Sequence, residues 1–183
     1  MNIKPTVKLS YVIFPTEWGF FGLAGSQNML FRSVLPSPNK KIVKNLLLNG
    51  LENAQLETNF QRNLQQRIQA FFEGYISDFK DLSVQISQFS QFNRKVLAAC
   101  RNITPAKTIT YGQLAEIIGH PGSSRAVGTA LSQNPLPLII PCHRVIRSDG
   151  SMGGFTSPGG TKMKSKLIQH EFVTKCRKIL RYA

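Results

Sequence analysis

The sequence predicts an α+β fold in which an N-terminal antiparallel sheet with helices precedes a C-terminal helical domain containing a helix-turn-helix. Three observations support this prediction. Apolar and aromatic runs with short polar spacers in the first third of the chain are typical of hairpins. Apolar residues then recur at helical spacing, and two short helical patterns flank a turn with two glycines. We therefore divide the chain into an N-terminal structural domain, residues 1–90, and a C-terminal domain, residues 91–183.

The N-terminal domain begins with three apolar segments that we predict to be strands. Their spacers, residues 15–17 and 25–27, are too short for crossover connections, so neighbouring strands are expected to be antiparallel. A helix is predicted over residues 59–76, where apolar residues up to Tyr75 recur at helical spacing. The other predicted elements are strands over residues 7–14, 18–24, 29–35 and 82–86, and a helix over residues 39–48 that ends at Asn49 and Gly50.

Four helices are predicted in the C-terminal domain. Two of them, over residues 111–118 and from about residue 123 to 133, flank the turn 119–122, with Ser123 or Ser124 as the N-cap of the second. An ordinary αα-corner explains this pattern as well as a helix-turn-helix does, so both interpretations stay open. The apolar residues expected to join these two helices are Leu114, Ile117, Ile118, Val127 and Leu131. The other two helices are predicted over residues 92–101 and 162–181.

The chain is strongly basic, and its charge is unevenly distributed. It has 23 Lys and Arg against 9 Asp and Glu, a formal net charge of +14. Residues 1–90 contribute +3 (nine bases, six acids), and residues 91–183 contribute +11 (14 bases, three acids). This excess favours an anionic partner, with nucleic acid ahead of a membrane surface.

The cysteine pattern and the N-terminus indicate the cellular environment. Cys100, Cys142 and Cys176 are odd in number and form no CxxC pair, which argues against a disulfide scaffold and a metal site. The N-terminus lacks the apolar core and cleavage site of a signal peptide, and no run approaches the ~18 apolar residues of a membrane span. We therefore predict a reduced, soluble, intracellular protein with no membrane contact and no metal.

The second helix of the helix-turn-helix pattern has an unusual composition. Arg125 lies near its start, and the residues after it carry little side chain: Ala126, Gly128, Thr129 and Ala130. A helix that reads base edges is expected to carry long polar residues. Small residues instead allow close approach to a narrow groove, or simply tight helix packing. A long cation beside them could insert into a base stack and fill the space of an extruded nucleotide.

The segment over residues 135–145 contains the candidate nucleophile. Three prolines forbid a regular helix there, and Cys142 follows the last of them, with His143 and Arg144 behind it. A thiolate stabilised by neighbouring cations is a strong nucleophile, whereas a cysteine in an apolar stretch is often simply buried. Adjacent side chains diverge, so a water relay between Cys142 and His143 is expected rather than direct contact.

The position of Glu171 favours the interpretation of Cys142 as a nucleophile over that of a cysteine that is simply buried. The last predicted helix has an apolar stripe, and Glu171 lies on or beside it. A carboxylate there needs a partner, because an unpaired buried charge is costly. Pairing with His143 would complete a Cys–His–Glu relay. Pairing with Arg144, or with Lys175 four residues on, is the alternative. The stripe consists of Met163, Leu167, Ile168, Phe172, Cys176 and Ile179.

Residues 92–171 resemble the methylated-DNA–protein-cysteine methyltransferases, which repair 6-O-alkylguanine. The matching segments stand in the order of that family, and the Pro-Cys-His-Arg-Val sequence at residues 141–145 is their most specific part. The other matching segments are residues 110–115, 124–128, 134–135, 153–155 and 170–171. Residues 1–90 resemble the more variable N-terminal domain of the family only weakly.

The resemblance implies roles for the residues of the candidate site. Cys142 would accept the alkyl group, His143 would take the thiol proton through a water, and Glu171 would hold His143. Asn134 would stabilise the turn that presents the cysteine, and Tyr111 would support protonation of the leaving base. In the DNA, Arg125 would replace the extruded base. The further contacts to DNA or to the flipped base would come from Ala126, Gly128, Thr129, Ala130, Arg144, Val145, Phe155, and Thr156 or Ser157.

The resemblance also implies the activity. Residues 91–183 would bind double-stranded DNA through the minor groove and transfer the alkyl group of a flipped 6-O-alkylguanine irreversibly to Cys142. The protein would be a monomer without cofactor, cytoplasmic or, in a eukaryote, nuclear; 4-O-alkylthymine is a further candidate substrate. Phe155 stands where better-known members carry tyrosine. A non-catalytic binder of alkylated DNA, a helix-turn-helix regulator and a Cys–His hydrolase are the alternatives.

Overall fold

A four-stranded sheet forms the N-terminal part of the protein. The structure is a computed structural model, and it describes residues 8–180, with side chains to residue 176. The first three strands form two consecutive antiparallel hairpins, as predicted, and the short fourth strand pairs in parallel with the first, giving the order β3-β2-β1-β4. The strands are β1 (Ser10–Thr16), β2 (Gly19–Ser26), β3 (Met29–Ser37) and β4 (Gln55–Leu56).

Two helices accompany the sheet. The first, α1 (Lys40–Leu48), begins as predicted, because the Asn39 side chain accepts hydrogen bonds from the backbone amides of Lys41 and Ile42. It packs on β2 and β3 with Val43 and Leu47 fully buried. The second, α2 (Arg62–Phe72), also packs on β1.

The C-terminal half is built mainly from helices, with one short parallel strand pair. Helices α3, α4 and α5 pack against one another, and α4 and α5 are separated by the predicted glycine-containing turn. Residues Cys142–Arg144 form a single 3-10 turn directly before β6. The elements are α3 (Gln91–Arg101), β5 (Ile109–Thr110), α4 (Tyr111–Ile117), α5 (Ser124–Ser132), β6 (Val145–Ile146) and α6 (Gly160–Leu180).

Several elements are shorter than the sequence predicts. Helix α2 ends at Phe72, and Tyr75 beyond it is exposed, because Gly74 takes a positive φ of 95° that L side chains rarely adopt. The predicted strand over residues 82–86 is reduced to one bridge between Leu30 and Val84. Residue 7 and residue 181, at the outer limits of two predicted elements, lie outside the described residues.

Two apolar positions were wrongly assigned to helix interfaces. Ile117 is 64% exposed and Phe172 is 60% exposed, although both follow the apolar spacing of their helices. Ile117 is the last residue of α4, where the chain turns away, and Phe172 follows the buried Glu171 on the outer side of α6. The other four residues expected to join α4 and α5 are buried or pack against the main core.

One continuous apolar core joins the two halves of the chain. It contains Phe21 and Leu35 from the sheet together with Leu97, Leu114 and Leu167 from the C-terminal helices. A smaller cluster lies between α1 and the sheet. The division at residue 90 stays a prediction. No helix in residues 8–180 is long and apolar enough to cross a membrane.

Candidate active site

The segment between α5 and β6 is organised by the side chain of Asn134. Its oxygen accepts from the amide of Leu136 at 3.0 Å, and its amide nitrogen donates to the carbonyl of Ile140 at 2.8 Å and to Sγ of Cys142 at 3.0 Å. Leu138, within the loop so formed, has a φ of 78° and is 1% exposed. A non-glycine residue with such a backbone costs on the order of 1–3 kcal/mol. Asn134 thus holds a strained loop and touches the candidate nucleophile.

Cys142 is buried at the start of the 3-10 turn. Its exposure is 7%, and burial raises the pKa of the thiol, since a buried thiolate loses its hydration. The hydrogen bond from Asn134 and the positive charge of Lys164 lower that pKa without offsetting burial. Because of this raised pKa, Cys142 is a thiol near neutral pH, and a base is needed to generate the thiolate.

Glu171 accepts hydrogen bonds from three sides in a nearly dry environment. His143 Nε2 lies 2.9 Å from Oε1, Arg144 Nη2 lies 2.7 Å from the same oxygen, and the amide of Ala106 donates to Oε2 at 2.9 Å. Burial raises the pKa of Glu171, but the hydrogen bonds and charges of His143 and Arg144 outweigh it and lower the pKa to about 2. The predicted pairing with His143 is observed, and the alternative pairing with Lys175 is not.

His143 is available as a base. Burial lowers its pKa below the ordinary value, against the opposing effect of Glu171, so the ring is neutral near pH 7. Because Nε2 faces Glu171, Nδ1 is the nitrogen left for another partner. Among residues 8–176 no hydrogen bond joins His143 to Cys142, which agrees with the expectation that adjacent side chains diverge.

Two residues predicted to contact DNA are buried instead. Arg144 is 6% exposed, and its guanidinium donates hydrogen bonds to Glu171 and to the carbonyl of Ile103. Ala130 is 1% exposed on the inner face of α5. The sequence analysis selected Arg144 and Ala130 because each adjoins other candidate site residues, but the sequence did not show which way each side chain points.

Tyr111 lies at the N-terminus of α4, and one further residue that the sequence analysis did not identify lies against it. The start of α4 is held by a capping box between Thr110 and Gln113. Lys164 is 1% exposed, and its Nζ donates to the Tyr111 hydroxyl at 3.2 Å. Lys164 lies three residues before Leu167 and seven before Glu171. This spacing places it on the buried face of α6 and could have identified it.

A cavity of about 580 Å³ opens beside these residues and reaches the exposed side of α5. Tyr111, Arg125, Gly128 and Phe155 are among its lining residues. Arg125, Ala126 and Thr129 are exposed on α5, and Gly128 is half-buried. Cys142 itself adjoins a second space of only about 20 Å³, which is room for about one water.

The loop after β6 separates the two spaces. Phe155 and Thr156 line both of them, and the Thr156 hydroxyl donates to the carbonyl of Ser132 at 3.1 Å. Ser157 is half-buried in the same loop, and Val145 is fully buried in β6 beside β5. Phe155 and Thr156 therefore lie where the larger cavity meets the small space beside Cys142.

The C-terminal half of the chain matches a described family of domains. The 6-O-methylguanine DNA methyltransferase, DNA binding domain, matches residues 91–173. A methylated-DNA–protein-cysteine methyltransferase of Methanothermobacter thermautotrophicus is 43% identical over 114 residues, which are 62% of the chain and 62% of that relative. The enzyme of the same name from Methanosarcina acetivorans is 33% identical over 162 residues, which are 88% of the chain and 97% of that relative.

Solved structures extend the likeness to both halves. A crystal structure of Mycobacterium tuberculosis O6-methylguanine methyltransferase has a TM-score of 0.76 at 26% identity, covering 91% of this chain and 94% of that one. A structure of the M. tuberculosis protein in complex with DNA has a TM-score of 0.75 at 27% identity, covering 90% and 94%.

Proposed function

The chain belongs to the methylated-DNA–protein-cysteine methyltransferase family, and from this premise we propose that it repairs DNA by taking the alkyl group of 6-O-alkylguanine onto Cys142. The observation that carries the proposal is the Asn134–Cys142 contact at the buried end of a site whose base, His143, is held by an ionised Glu171. The relatives named above are methyltransferases, which gives no support to the alternative of a non-catalytic DNA binder.

The proposed reaction begins with removal of the thiol proton. Neutral His143 accepts it through a water, and Glu171 stabilises the imidazolium that results. The sulfur then attacks the alkyl carbon, so that an S–C bond forms, the C–O bond breaks and the electron pair moves onto the guanine. Tyr111 supplies a proton to the leaving base. A thioether is a poor leaving group, so each protein molecule reacts once.

Arg144 has a structural part in this mechanism. Two of its nitrogens lie within 3.0 Å of the Glu171 carboxylate, so Glu171 remains ionised in surroundings that would otherwise favour its neutral form. An ionised Glu171 can orient His143 and stabilise its charged form after proton transfer. We therefore place Arg144 behind the relay rather than on the DNA.

DNA is the partner that the family and the charge support, and we propose how it is bound. Helix α5 would lie in the minor groove with Ala126 and Thr129 against the sugar-phosphate backbone, since both are small and exposed. Arg125, at the cavity rim, would occupy the place of the flipped base. The 580 Å³ cavity would receive the base first, and displacement of Phe155 and Thr156 would admit it to Cys142.

The contacts in the pocket are part of the same proposal. The backbone carbonyl of Val145 would accept from the guanine amino group, Phe155 would pack on the ring, and Thr156 or Ser157 would face the oxygen. A monomeric state, repair of 4-O-alkylthymine and a cytoplasmic or nuclear location stay predictions.

Intact mass spectrometry after incubation with a duplex containing 6-O-methylguanine tests the proposal. We expect one methyl group per protein, mapped to the peptide with Cys142, and none on Cys100 or Cys176. Cys142→Ala, which leaves two thiols in place, is the control and should remain unmodified. Unmodified wild-type protein, or product release beyond one equivalent, would contradict the proposal.

A further inference from the structure

An arginine of the C-terminal half holds the segment that connects the two halves of the chain. This connecting segment, residues 77–82, forms no helix and no strand. Arg101, the last residue of α3, donates from Nη2 to the carbonyl of Phe79 at 3.1 Å and to that of Lys80 at 3.2 Å. The same nitrogen also donates to the carbonyl of Leu82. One guanidinium nitrogen thus contacts three carbonyls of the connecting segment.

A second arginine holds the connecting segment from the N-terminal half. Arg67 of α2 pairs with both carboxylate oxygens of Asp81 at 2.7 Å, and its guanidinium lies 5.4 Å from the centroid of the Phe79 ring. Phe79 is buried in the main core. The side chain of Asp81 is 59% exposed, so its ion pair contributes little by itself. The partly buried contacts of Arg101 are therefore the stronger part of this clamp.

Arg101 makes these contacts at a cost. Its Nε is buried and has no hydrogen-bond partner among the residues that the structure describes. A buried donor without a partner destabilises the folded state. All the side-chain hydrogen bonds of Arg101 within residues 8–176 go to the connecting segment. Its purpose must therefore be sought in what that segment covers.

The connecting segment covers the acceptor loop, residues 135–141, from behind. The two are separated by an enclosed space of about 10 Å³, which is at the lower limit of the room that one water needs. Residues 77–80 and Arg101 line one side of this space. The lining residues on the other side are Leu138, Ile139, Pro141 and Arg144. The segment thus adjoins the arginine that holds Glu171 ionised.

The relay behind this cover depends on low hydration. The attraction between Arg144 and Glu171 weakens as the local dielectric constant rises. Burial is also the main reason why the pKa of His143 lies below its ordinary value. The charged groups that face His143 are Glu171 and Lys164 on α6 and Arg144 on the 3-10 turn. Helix α3, which also packs on this turn, contributes Cys100, a neutral thiol whose pKa is raised by burial.

We propose that Arg101 is a positioning residue for alkyl transfer, because it fixes the connecting segment over the acceptor loop and keeps water away from Arg144 and Glu171. The inference rests on the proposed function. Release of the segment would admit water to Arg144 and weaken its hold on Glu171. His143 would then retain a proton up to a higher pH and would be less available as the base. The connection between the halves thereby takes part in tuning the relay.

The pH dependence of alkyl transfer tests the role of Arg101. Only neutral His143 can accept the thiol proton, so transfer is lost as the pH falls through the pKa of this residue. Arg101→Met removes the donors but keeps an unbranched side chain. We expect it to slow transfer from free 6-O-benzylguanine roughly 3- to 10-fold at pH 5.5 and less than about twofold at pH 8.5. An equal loss at both pH values, or no loss at either, would overturn the proposal.

Arg94→Met is the matched control for this experiment. Arg94 is an exposed arginine of the same helix, and it donates to the carbonyl of Ser87, outside the enclosed space. Its pH profile should match that of wild type, and a loss confined to low pH here as well would refute a specific role of Arg101. If Arg101→Met does not fold, Asp81→Ala releases the segment from Arg67 instead. The same pattern at smaller size is then expected, and its absence would overturn the proposal.

A nuclear magnetic resonance titration separates this proposal from a failure of the proposed function. The ring protons of His143, identified among the three histidines by their loss in His143→Asn, report its pKa without any alkylated substrate. We expect a higher pKa for His143 in Arg101→Met than in wild type, whether or not the protein transfers an alkyl group. An unchanged pKa would show that the connecting segment does not keep water from the relay.

Discussion

Glu171 shows how one carboxylate can organise a buried site. Its two oxygens accept hydrogen bonds from a histidine, an arginine and a backbone amide. The amide is that of Ala106, which has a φ of 56°. The left-handed backbone at Ala106 costs roughly 1–2 kcal/mol. This strain turns a backbone donor toward Glu171.

Replacing Glu171 by Gln should reduce both reactivity and stability. The variant leaves Arg144 buried without a counter-charge, so we expect a loss of roughly 3 kcal/mol in the free energy of unfolding at neutral pH. Alkyl transfer to Cys142 should slow about 10- to 100-fold. Urea unfolding and single-turnover rates measure the two effects. Glu116→Gln, at an exposed position on α4, should change neither.

The depressed pKa of Glu171 also predicts an acid dependence of stability. The unfolded chain takes up the proton at the ordinary value of 4.5 and the folded protein only at about 2. The stabilisation is therefore complete above pH 4.5 and is lost as the pH falls toward 2. Denaturant unfolding between pH 6 and 2 should show a steeper decline for wild type than for Glu171→Gln. Parallel curves would contradict an ionised Glu171.

Gly153 is required by the position of Tyr111. An added methyl group would collide with the tyrosine hydroxyl, whereas Gly50 also has a positive φ but open space around it. We expect Gly153→Ala to slow alkyl transfer at least tenfold, because the proton donor is displaced. Gly50→Ala should cost only the backbone strain of about 1–2 kcal/mol and leave the rate unchanged. Equal rates for the two variants would show that the close approach has no effect on the reaction.

At the scale of elements, the proposed function assigns recognition to α5 and chemistry to the segment after it. The outer face of α5 carries Arg125, whereas its inner face carries the buried Val127, Ala130 and Leu131. The segment that follows α5 then places Asn134 in contact with Sγ of Cys142. In the proposed function, binding of DNA to the outer face of the helix would therefore be linked to the loop that holds the thiol.

Arg125→Ala should weaken repair of duplex DNA much more than reaction with the free base. An arginine that fills the place of an extruded base has no part when the base is not stacked in a duplex. We expect at least a tenfold loss on a 6-O-methylguanine duplex and little change with 6-O-benzylguanine, both followed as single-turnover rates. Lys44→Ala, an exposed cation on α1, serves as the control. Similar losses on both substrates would refute the proposed insertion.

Strand β3 supports the acceptor segment from the N-terminal half. The Ser33 amide donates to the carbonyl of Pro135 at 3.0 Å, and its hydroxyl donates to the carbonyl of Pro137 at 2.8 Å. Both carbonyls belong to the loop that Asn134 closes. The sheet therefore takes part in presenting Cys142.

Ser33→Ala should reduce both the stability of the protein and the rate of alkyl transfer. It leaves the carbonyl of Pro137 without its partner, at a cost of about 1–3 kcal/mol, and should slow alkyl transfer because the loop loosens. Ser37→Ala, on the same strand, removes an acceptor for the amide of Asn39 instead. Urea unfolding should detect a loss in both variants, and transfer rates should fall only for Ser33→Ala. A rate loss in Ser37→Ala as well would mean that general destabilisation, not the loop, is responsible.

At the scale of the whole molecule, we propose that the excess charge and lesion recognition act separately. Of the net charge of +14, +11 lies in residues 91–183, and phosphate contacts made by these charges would be independent of sequence and would weaken with salt. We expect the affinity for a duplex to fall steeply between 50 and 200 mM salt, while the transfer rate from 6-O-benzylguanine stays nearly constant. Fluorescence anisotropy and single-turnover rates measure these quantities, and a salt-independent duplex affinity would contradict the electrostatic interpretation.

The sequence alone determined the fold class, most helices and strands, and the identity of the acceptor motif. Apolar and aromatic runs joined by short spacers indicated the hairpins, because spacers too short for a crossover leave neighbouring strands antiparallel. The helical periodicity placed Glu171 on a buried stripe, which already required a partner for it. These signals are local, so one chain is enough to detect them.

Only the tertiary structure decided which partners meet. It buried Arg144 against Glu171, buried Ala130, exposed Phe172 and brought Lys164 to Tyr111, 53 residues away in sequence. These outcomes depend on the rotation of each helix and on the path of the chain between distant elements. Composition and periodicity do not encode the direction of an individual side chain, because packing against distant residues selects it.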